Sequence, residues 1–373
     1  MHWTLHKMRV LALGAVISCI TMAGSGQAQD RLSPDPLAAS RSLGTLDPPM
    51  SPSLSPTLPA LSDPSASAPM ISALPGSCDQ SCEGPGGFFI DAEYLLLRPR
   101  RRSFDFAITD PSTKDAPIGN IESLEWRTRS GVRVGGGYAF PGDSWEVGAY
   151  YTYLHSDADA FVAKPSGGTL FATLTHPGTI EQVDTALATS GINFNVVDVE
   201  IARRFSCAER LAFRVFGGAR IASIDQSLNA FYNGGDANLA EVHSPIEFDG
   251  AGIRVGGEGY WNINWGLSLF ASASGSLLFG DFRSTLIQTN DNGATTDVNV
   301  VDDFEKIVPV IEMGLGVAWQ YRNLQVRVGY EISNWFGLVD SPDFVDDVHQ
   351  GKVAHRVSDL SLDGLDLRVR LSF

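Results

Sequence analysis

The chain has no long apolar run beyond its first residues, and it is poor in lysine and cysteine. A helical membrane protein needs about 20 consecutive apolar residues per span, so this sequence does not suit that class. The net charge of -16 argues against a general nucleic-acid binder, because phosphate neutralisation requires a basic surface. With 43% hydrophobic residues the chain is too apolar to be wholly disordered, and glycine is abundant, with 38 of 373 residues.

Residues 1–28 have the layout of a secretory signal peptide. Lys7 and Arg9 give a positive start, residues 10–22 are apolar but too short for a membrane span, and residues 26–28 supply small side chains for cleavage. A membrane anchor is the alternative interpretation. We therefore expect export into a compartment that permits disulfide bonds.

Residues 29–85 form a segment rich in proline and serine. Residues 30–75 hold ten of the 20 prolines, and this composition favours an extended periplasmic linker without a core. Cys78 and Cys82 lie near its end, where their spacing permits a small disulfide loop. Free thiols are the alternative, and a metal site is disfavoured because no histidine lies nearby. Three cysteines remain after cleavage, so one stays unpaired or bonds to another molecule.

From residue 86 to the C-terminus, apolar and polar residues alternate with the period of a β-strand. The last segment shows the two faces most clearly: Leu365, Leu367, Val369, Leu371 and Phe373 against Asp366, Arg368, Arg370 and Ser372. Ten segments have this pattern: 88–97, 124–140, 145–156, 192–205, 211–228, 248–262, 266–282, 304–320, 324–337 and 360–373.

Short and long connections alternate strictly between these ten segments. Four are short: 141–144, 206–210, 263–265 and 321–323. Five are long: 98–123, 157–191, 229–247, 283–303 and 338–359. This layout is typical of outer-membrane barrels, which have short periplasmic turns and long outer loops. The sequence predicts an all-β fold, a transmembrane antiparallel up-and-down β-barrel of about 10 strands (10–12), over residues 86–373. A secreted β-sandwich is the alternative, but it does not explain the connection lengths.

Aromatic residues lie beside the short turns, as expected for a girdle at the membrane interface. They are Trp145, Trp261, Trp265, Trp319, Tyr138 and Phe140. We expect outer-membrane lipid to be a partner of this surface. We also expect the C-terminal strand, which ends in Phe373, to be recognised by the barrel-assembly machinery; the oligomeric state is left open.

Several of these strands resemble the Legionella-type major outer membrane protein family, which is described as pore-forming. The similar segments are Phe88 to Leu96, Gly131 to Tyr138, Trp145 to Tyr153, Gly266 to Gly280, Val328 to Glu331 and Gly364 to Phe373. The resemblance covers roughly residues 86 to 373, and the proline-rich linker departs from the plain family layout. It implies a bacterial outer-membrane location and a porin-like passive channel for small solutes or ions.

Strand parity predicts which charged side chains line the lumen. The candidates are Glu125, Arg127, Arg129, Arg133, Glu146, Arg214, Arg220, Arg254, Glu258, Glu312, Arg327, Glu331, Arg368 and Arg370. The same parity points Asp91, Glu93, Asp198, Glu200, Arg204 and Asp366 inward. One interpretation is a charged pore lining. The other is a salt-bridged lattice that fills a narrow, structural or adhesive barrel, because barrels of about eight strands are filled by side chains.

Catalysis is the third and least favoured interpretation. His155 lies near Asp157 and Asp159, but it shares the parity of Trp145 and is therefore expected to face outward. The sequence has no nucleophile elbow, no phosphate-binding loop and no metal-ligand spacing. We expect no enzyme activity, no cofactor, no metal and no nucleic-acid partner.

Overall fold

The computed structural model describes residues 86–101, 105–112, 118–344 and 353–373. The predicted signal peptide, the predicted linker and the predicted Cys78–Cys82 disulfide lie outside the described residues. Within the described ranges, no helix is both long enough and apolar enough to cross a membrane.

The described chain folds into β-strands. In chain order these are β1 (Gly87–Arg101), β2 (Asp105–Asp110), β3 (Asn120–Ser123), β4 (Arg129–Ala139), β5 (Trp145–Ala163), β6 (Thr169–Ala172), β7 (Gln182–Val183), β8 (Thr185–Ala208), β9 (Leu211–Gly234), β10 (Ala237–His243), β11 (Ile246–Asn264), β12 (Leu267–Asn290), β13 (Thr295–Tyr321), β14 (Leu324–Phe344) and β15 (Val353–Ser372).

Ten of these strands form one closed antiparallel ring. The order around the ring is β1, β4, β5, β8, β9, β11, β12, β13, β14 and β15, so neighbours in the ring follow one another along the chain. Pairing of β1 with β15 closes the ring, from Phe89 opposite Ser372 to Arg101 opposite Leu360. Closure satisfies the backbone hydrogen bonds that lipid cannot. The predicted ten-stranded antiparallel barrel is confirmed.

The barrel strands extend further outward than the alternation predicted. β13 begins at Thr295 rather than at 304, and β8 begins at Thr185 rather than at 192. The predicted bounds of the five long loops are therefore wrong, because all five predicted loops contain strand residues; the connections 102–128 and 164–184 between ring strands nevertheless remain long. At these points the outward-facing side chains change from apolar to polar, as at Glu305 and Asp303 in β13. The strand continues beyond this point, but its outward-facing residues are no longer regularly apolar, so the alternation that identified the strand in the sequence is lost.

The inward-facing side chains of the barrel also change along the strands, from charged to apolar. On β9, Arg220 points inward in the half nearer the periplasmic turn, and the next inward residues are Ala222 and Ile224. The exterior changes in the opposite sense at the same level, from Ile221 to Asp225. The lipid-embedded half is thus apolar outside and charged inside, whereas the outer half is polar outside and apolar inside.

The outer half of the barrel encloses the hydrophobic core. Its largest fully buried members include Trp335, Tyr232, Phe106, Phe248 and Phe282. A small sheet of β3, β2, β6 and β7, in that order, packs into this core through residues such as Phe106 and Leu170. The hydroxyl of Tyr232 donates a hydrogen bond of 2.6 Å to the backbone oxygen of Phe106. Two of the predicted loops therefore fold into the outer opening of the barrel.

Cys207 lies at the periplasmic end of β8 and is disulfide-bonded. The other three cysteines precede residue 86, so its partner lies outside the described residues.

Inward-facing glycines make room for aromatic rings inside the barrel. A Cβ atom at Gly256 would lie 2.5 Å from Cζ of Phe216, and one at Gly135 would lie 2.4 Å from Cδ1 of Tyr150. Rings therefore lie flat against the wall where the neighbouring strand has no side chain. This packing accounts for part of the high glycine content.

Adjacent glycines on β11 provide a test of this packing. We expect Gly256→Ala to destabilise the barrel by about 1–3 kcal/mol, because the new methyl group would overlap Phe216. The matched control is Gly257→Ala, whose Cβ would meet nothing closer than the Arg214 backbone oxygen at 3.5 Å; its effect should stay within about 0.5 kcal/mol. Urea unfolding followed by tryptophan fluorescence measures both. Equal losses in the two variants would contradict the proposed ring packing.

Candidate functional site

The candidate site is the charged lumen, defined as the inward-facing charged side chains of the lipid-embedded half. It contains seven arginines and nine carboxylates: Arg133, Arg214, Arg220, Arg254, Arg327, Arg368 and Arg370 with Asp91, Glu93, Glu146, Asp198, Glu200, Glu258, Glu312, Glu331 and Asp366. Strand alternation places them there, since each occupies an inward position of its strand.

The strand pair that closes the ring carries one group of these charges. Arg370 lies directly opposite Asp91 in the register of β1 and β15. Its guanidinium donates to both carboxylate oxygens of Asp91, with Nη2 to Oδ2 at 2.8 Å and Nε to Oδ1 at 2.9 Å. Arg368 adds a further bond, Nε to Oδ1 at 3.0 Å. The Tyr150 hydroxyl accepts a further bond from Arg370 at 3.0 Å.

A second group lies around Arg214 on β9. Its Nε pairs with Glu146 Oε1 at 2.5 Å, and its Nη2 pairs with Glu200. Arg204, whose side chain is 47% exposed, forms an ion pair with Glu146 from the periplasmic opening, with the two atoms 2.8 Å apart. Glu146 therefore has two guanidinium partners, which offset the cost of burying its charge.

Arg220 and Arg254 share acidic partners in the middle of the lumen. Arg220 forms a two-bond pair with Asp198, at 2.7 and 2.9 Å, and also contacts Glu312 at 3.0 Å. Arg254 bonds Glu312 at 2.8 Å and Glu200 at 3.3 Å. Each carboxylate thus contacts more than one arginine, and the pairs join into one network.

Two further arginines pair with other carboxylates of the charged lumen. Arg133 bonds Glu331 at 2.9 Å and Glu93 at 3.2 Å. Arg327 bonds Glu258 at 3.4 Å, while its Nε lies 3.9 Å from Oδ2 of Asp366. Asp366 is 3% exposed and Oδ2 has no hydrogen-bond donor among the described residues. This carboxyl is the least well satisfied member of the charged lumen.

Aromatic rings inside the barrel stack against several arginine guanidinium groups. The guanidinium carbons of Arg370 and Arg327 each lie 4.3 Å from a ring centre, of Phe89 and Phe270 respectively. Arg254 lies 4.8 Å from Phe216 in the same way. Such cation–π contacts strengthen when water is excluded. Sequence reasoning missed these aromatics, although their signal is present: they occupy the polar parity of their strands.

Little free space remains inside the charged lumen. One cavity of about 70 Å³ lies between Arg133, Tyr150, Glu258 and Glu312 among others. A second cavity of about 10 Å³ lies near Trp335, where the apolar outer half begins. One water needs about 10–15 Å³ measured this way, so a cavity of about 70 Å³ has room for only a few waters.

Three predicted lumen residues lie elsewhere. Glu125 and Arg127 are exposed and precede β4, and Arg127 pairs with Asp159 at 3.4 Å. Arg129 pairs with Asp157 at 2.6 Å at the outer level of the barrel. The parity argument does not apply to the first two, because the strand predicted from 124 begins at Arg129. The other eleven side chains lie inside the charged lumen.

His155 faces outward, as its parity predicts, and its Nδ1 lies 2.7 Å from the Asn193 amide oxygen. In the described part of the chain, no group of three or more His, Cys, Asp or Glu side chains is placed to hold a metal ion.

The network makes a stability prediction. We expect Arg220→Met to destabilise the barrel by about 3–5 kcal/mol, because Asp198 and Glu312 would lose a buried partner. The control is Lys164→Met, which removes an exposed ion pair with Asp184 and should cost less than about 1 kcal/mol. Guanidinium unfolding in detergent micelles measures both. A cost for Arg220→Met as small as that of the control would show that the network contributes little to stability.

Comparison with known proteins gives one family match and several distant structural likenesses. The outer membrane protease OmpT from Escherichia coli has 8% identity, with 80% of this chain and 100% of that chain covered and a TM-score of 0.44. The translocator domain of autotransporter NalP from Neisseria meningitidis has 9% identity, covering 77% and 88%, with a TM-score of 0.35.

The search of curated proteins finds no match. The model of the family described as Legionella pneumophila major outer membrane protein precursor matches residues 81–373. This range contains the whole barrel and the charged lumen. The chain therefore belongs to this family of outer-membrane proteins and is located in the bacterial outer membrane.

Proposed function

We propose that this outer-membrane barrel is closed to passive diffusion in the described conformation and has a structural or adhesive role. The observation that carries the proposal is the dense packing of the charged lumen, where the cavity between Arg133, Tyr150, Glu258 and Glu312 measures only about 70 Å³. A ring of ten strands is near the size at which side chains alone fill a barrel.

Two different barriers support this proposal. An ion entering the charged lumen would have to displace guanidinium groups from carboxylates that they hold with two or more bonds, as in the Arg370–Asp91 pair. It would then meet the apolar outer half, where Trp335, Phe248 and Phe282 are fully buried. Moving a charge through such a core without partners is very costly.

The length of the strands supports a role at the cell surface. β13 has 27 residues, about 90 Å along the strand at about 3.3 Å per residue. The apolar band of an outer-membrane barrel is only about 25 Å tall. Even with strand tilt, much of β13 therefore extends beyond the lipid, where it forms a rigid surface with polar outward side chains such as Asp303 and Glu305.

A porin-like passive channel for small solutes or ions is the second candidate, and the resemblance to a pore-forming family favours it. This function would require the charged lumen and the outer core to rearrange together. Under either candidate, we propose that outer-membrane lipid surrounds the apolar belt. We also propose that the barrel-assembly machinery recognises β15, which precedes the terminal Phe373.

Single-channel recording in planar bilayers tests the two candidates. We expect the refolded full chain to give no discrete conductance steps, because ions find no continuous passage. Heat-modifiable migration on gels verifies folding in the same preparation, and a known open porin serves as the positive control for insertion. Reproducible steps from the folded protein would overturn the closed-barrel proposal and favour the channel.

A further inference from the structure

Among the described residues, β13 and β14 pair in the periplasmic half of the barrel wall and not in its outer half. Pairing of these strands begins at Val310 opposite Trp335 and continues only toward the periplasmic turn. Above Trp335, β14 pairs with β15 through a bulge that ends at Val339. β13 nevertheless continues outward to Thr295 while paired with β12. Among the described residues, the outer part of β13 therefore has a strand partner on one side only.

The β14–β15 hairpin leaves this position because it turns inward. Gly337 in the bulge has a positive φ of 62°, and its carbonyl accepts a hydrogen bond from Lys306 Nζ at 3.0 Å. Further along, the ring of Phe344 lies 4.8 Å from that of His176, which belongs to the segment folded into the barrel opening. The hairpin thus contributes to the outer core and not to the wall beside β13.

The direction of the backbone groups on β13 follows from one hydrogen bond. Gln320 donates its N–H to the carbonyl of Gly266 on the β12 side. Because amide direction alternates along a strand, odd-numbered residues of β13 point their backbone groups toward the β14 side. The β12–β13 register is unbroken from there to Val298. The free edge therefore presents the N–H and C=O groups of Asn299, Val301, Asp303 and Glu305.

An acidic patch borders this edge on the outward face. It comprises two cross-strand rows: Glu305, Asp281 and Asp249 in one, and Asp303, Arg283, Glu247 and Asp225 in the other. Arg283 is the only cation of these rows, and it pairs with Asp303 at 3.0 Å. Burial, Glu247 and Asp249 together raise the pKa of Asp225 above its ordinary value, as expected where carboxylates outnumber cations.

We propose that the β13 edge from Asn299 to Glu305 is a docking site for an extended, cationic peptide segment. The segment would add to the wall as a strand, with main-chain hydrogen bonds to the odd-numbered residues. Its alternate lysine or arginine side chains would lie on the outward face beside Glu305 and Asp303. A second copy of this chain does not fit, because antiparallel pairing of two such edges would bring these acidic residues together.

The test uses the refolded full chain in uncharged detergent micelles and a fluorescein-labelled octapeptide of alternating lysine and valine. Binding is measured by fluorescence anisotropy. Two further labelled octapeptides serve as controls. An alternating glutamate–valine peptide tests whether positive charge is required. An alternating lysine–proline peptide keeps the positive charge, but its prolines lack the backbone N–H groups that a paired strand donates. We expect the lysine–valine peptide alone to bind tightly. Equal binding of either other probe, or no binding of the first, overturns the proposal.

Variants of β13 separate strand addition from simple attraction. Val301→Pro removes an N–H from the free edge and leaves the hydrogen bonds to β12 intact, because position 301 points away from β12. We expect it to weaken binding of the lysine–valine peptide about tenfold. Val301→Thr keeps the N–H at the same exposed position and should bind like the parent chain. If Val301→Pro and Val301→Thr both fold and bind the lysine–valine peptide with equal affinity, docking by strand addition is refuted.

A charge variant keeps the test valid if Val301→Pro does not fold. The double substitution Asp303→Asn with Glu305→Gln removes the two carboxylates on the edge strand and leaves every backbone group in place. We expect a loss of affinity of about three- to tenfold together with a smaller salt dependence. Asp143→Asn, in the turn between β4 and β5 at the other end of the barrel, is the control. Unchanged binding in the double variant would overturn the assignment of the cationic partner.

Discussion

The narrow, closed ring is the constraint on which the rest of the structure depends. Lipid requires every outward side chain at membrane depth to be apolar, and strict alternation then places the polar half of each strand inside. Ten strands leave no room for these side chains to be solvated by bulk water. Each buried carboxylate must find a guanidinium, as Asp91 does in Arg370 and Arg368. Inward glycines such as Gly256 provide the space for the aromatic rings behind the arginines.

Beyond the lipid, the same alternation of inward and outward residues places apolar side chains inside the barrel and polar side chains outside. Once outward positions face water, as Asp225 does on β9, inward positions such as Ile224 and Leu228 form an ordinary hydrophobic core. The outer half is thus organised like a soluble β-protein, whose core can be completed by folded loops and by the inturned β14–β15 hairpin. A wall is no longer required to exclude lipid, and this permits the outer part of β13 to pair on one side only within the described part of the chain.

The sequence predicted the ten strands and their order because each crosses the lipid with a clear apolar face, as in Leu365 to Leu371. Eleven of its fourteen candidate lumen residues point inward in the structure, since parity is local information. The sequence did not reveal that β13 starts at Thr295, because polar residues on a water-facing strand look like those of a loop. The sequence also could not show which arginine pairs with which carboxylate. Arg133 and Glu331 are 198 residues apart in the chain, and only closure of the ring brings them together.

The choice of cation bears on function. In the described part of the chain, the buried cations of the lumen are all arginine, and the one inward lysine, Lys306, lies above the level where the interior becomes apolar. A lysine ammonium is a mobile point charge, whereas a planar guanidinium can stack on a ring and bond two carboxylates at once. Arg254 does both, because its guanidinium stacks on the Phe216 ring and bonds the carboxylates of Glu312 and Glu200. Such fixed, shared bonds suit a lattice that holds the strands together better than a lining that must exchange its contacts with passing ions.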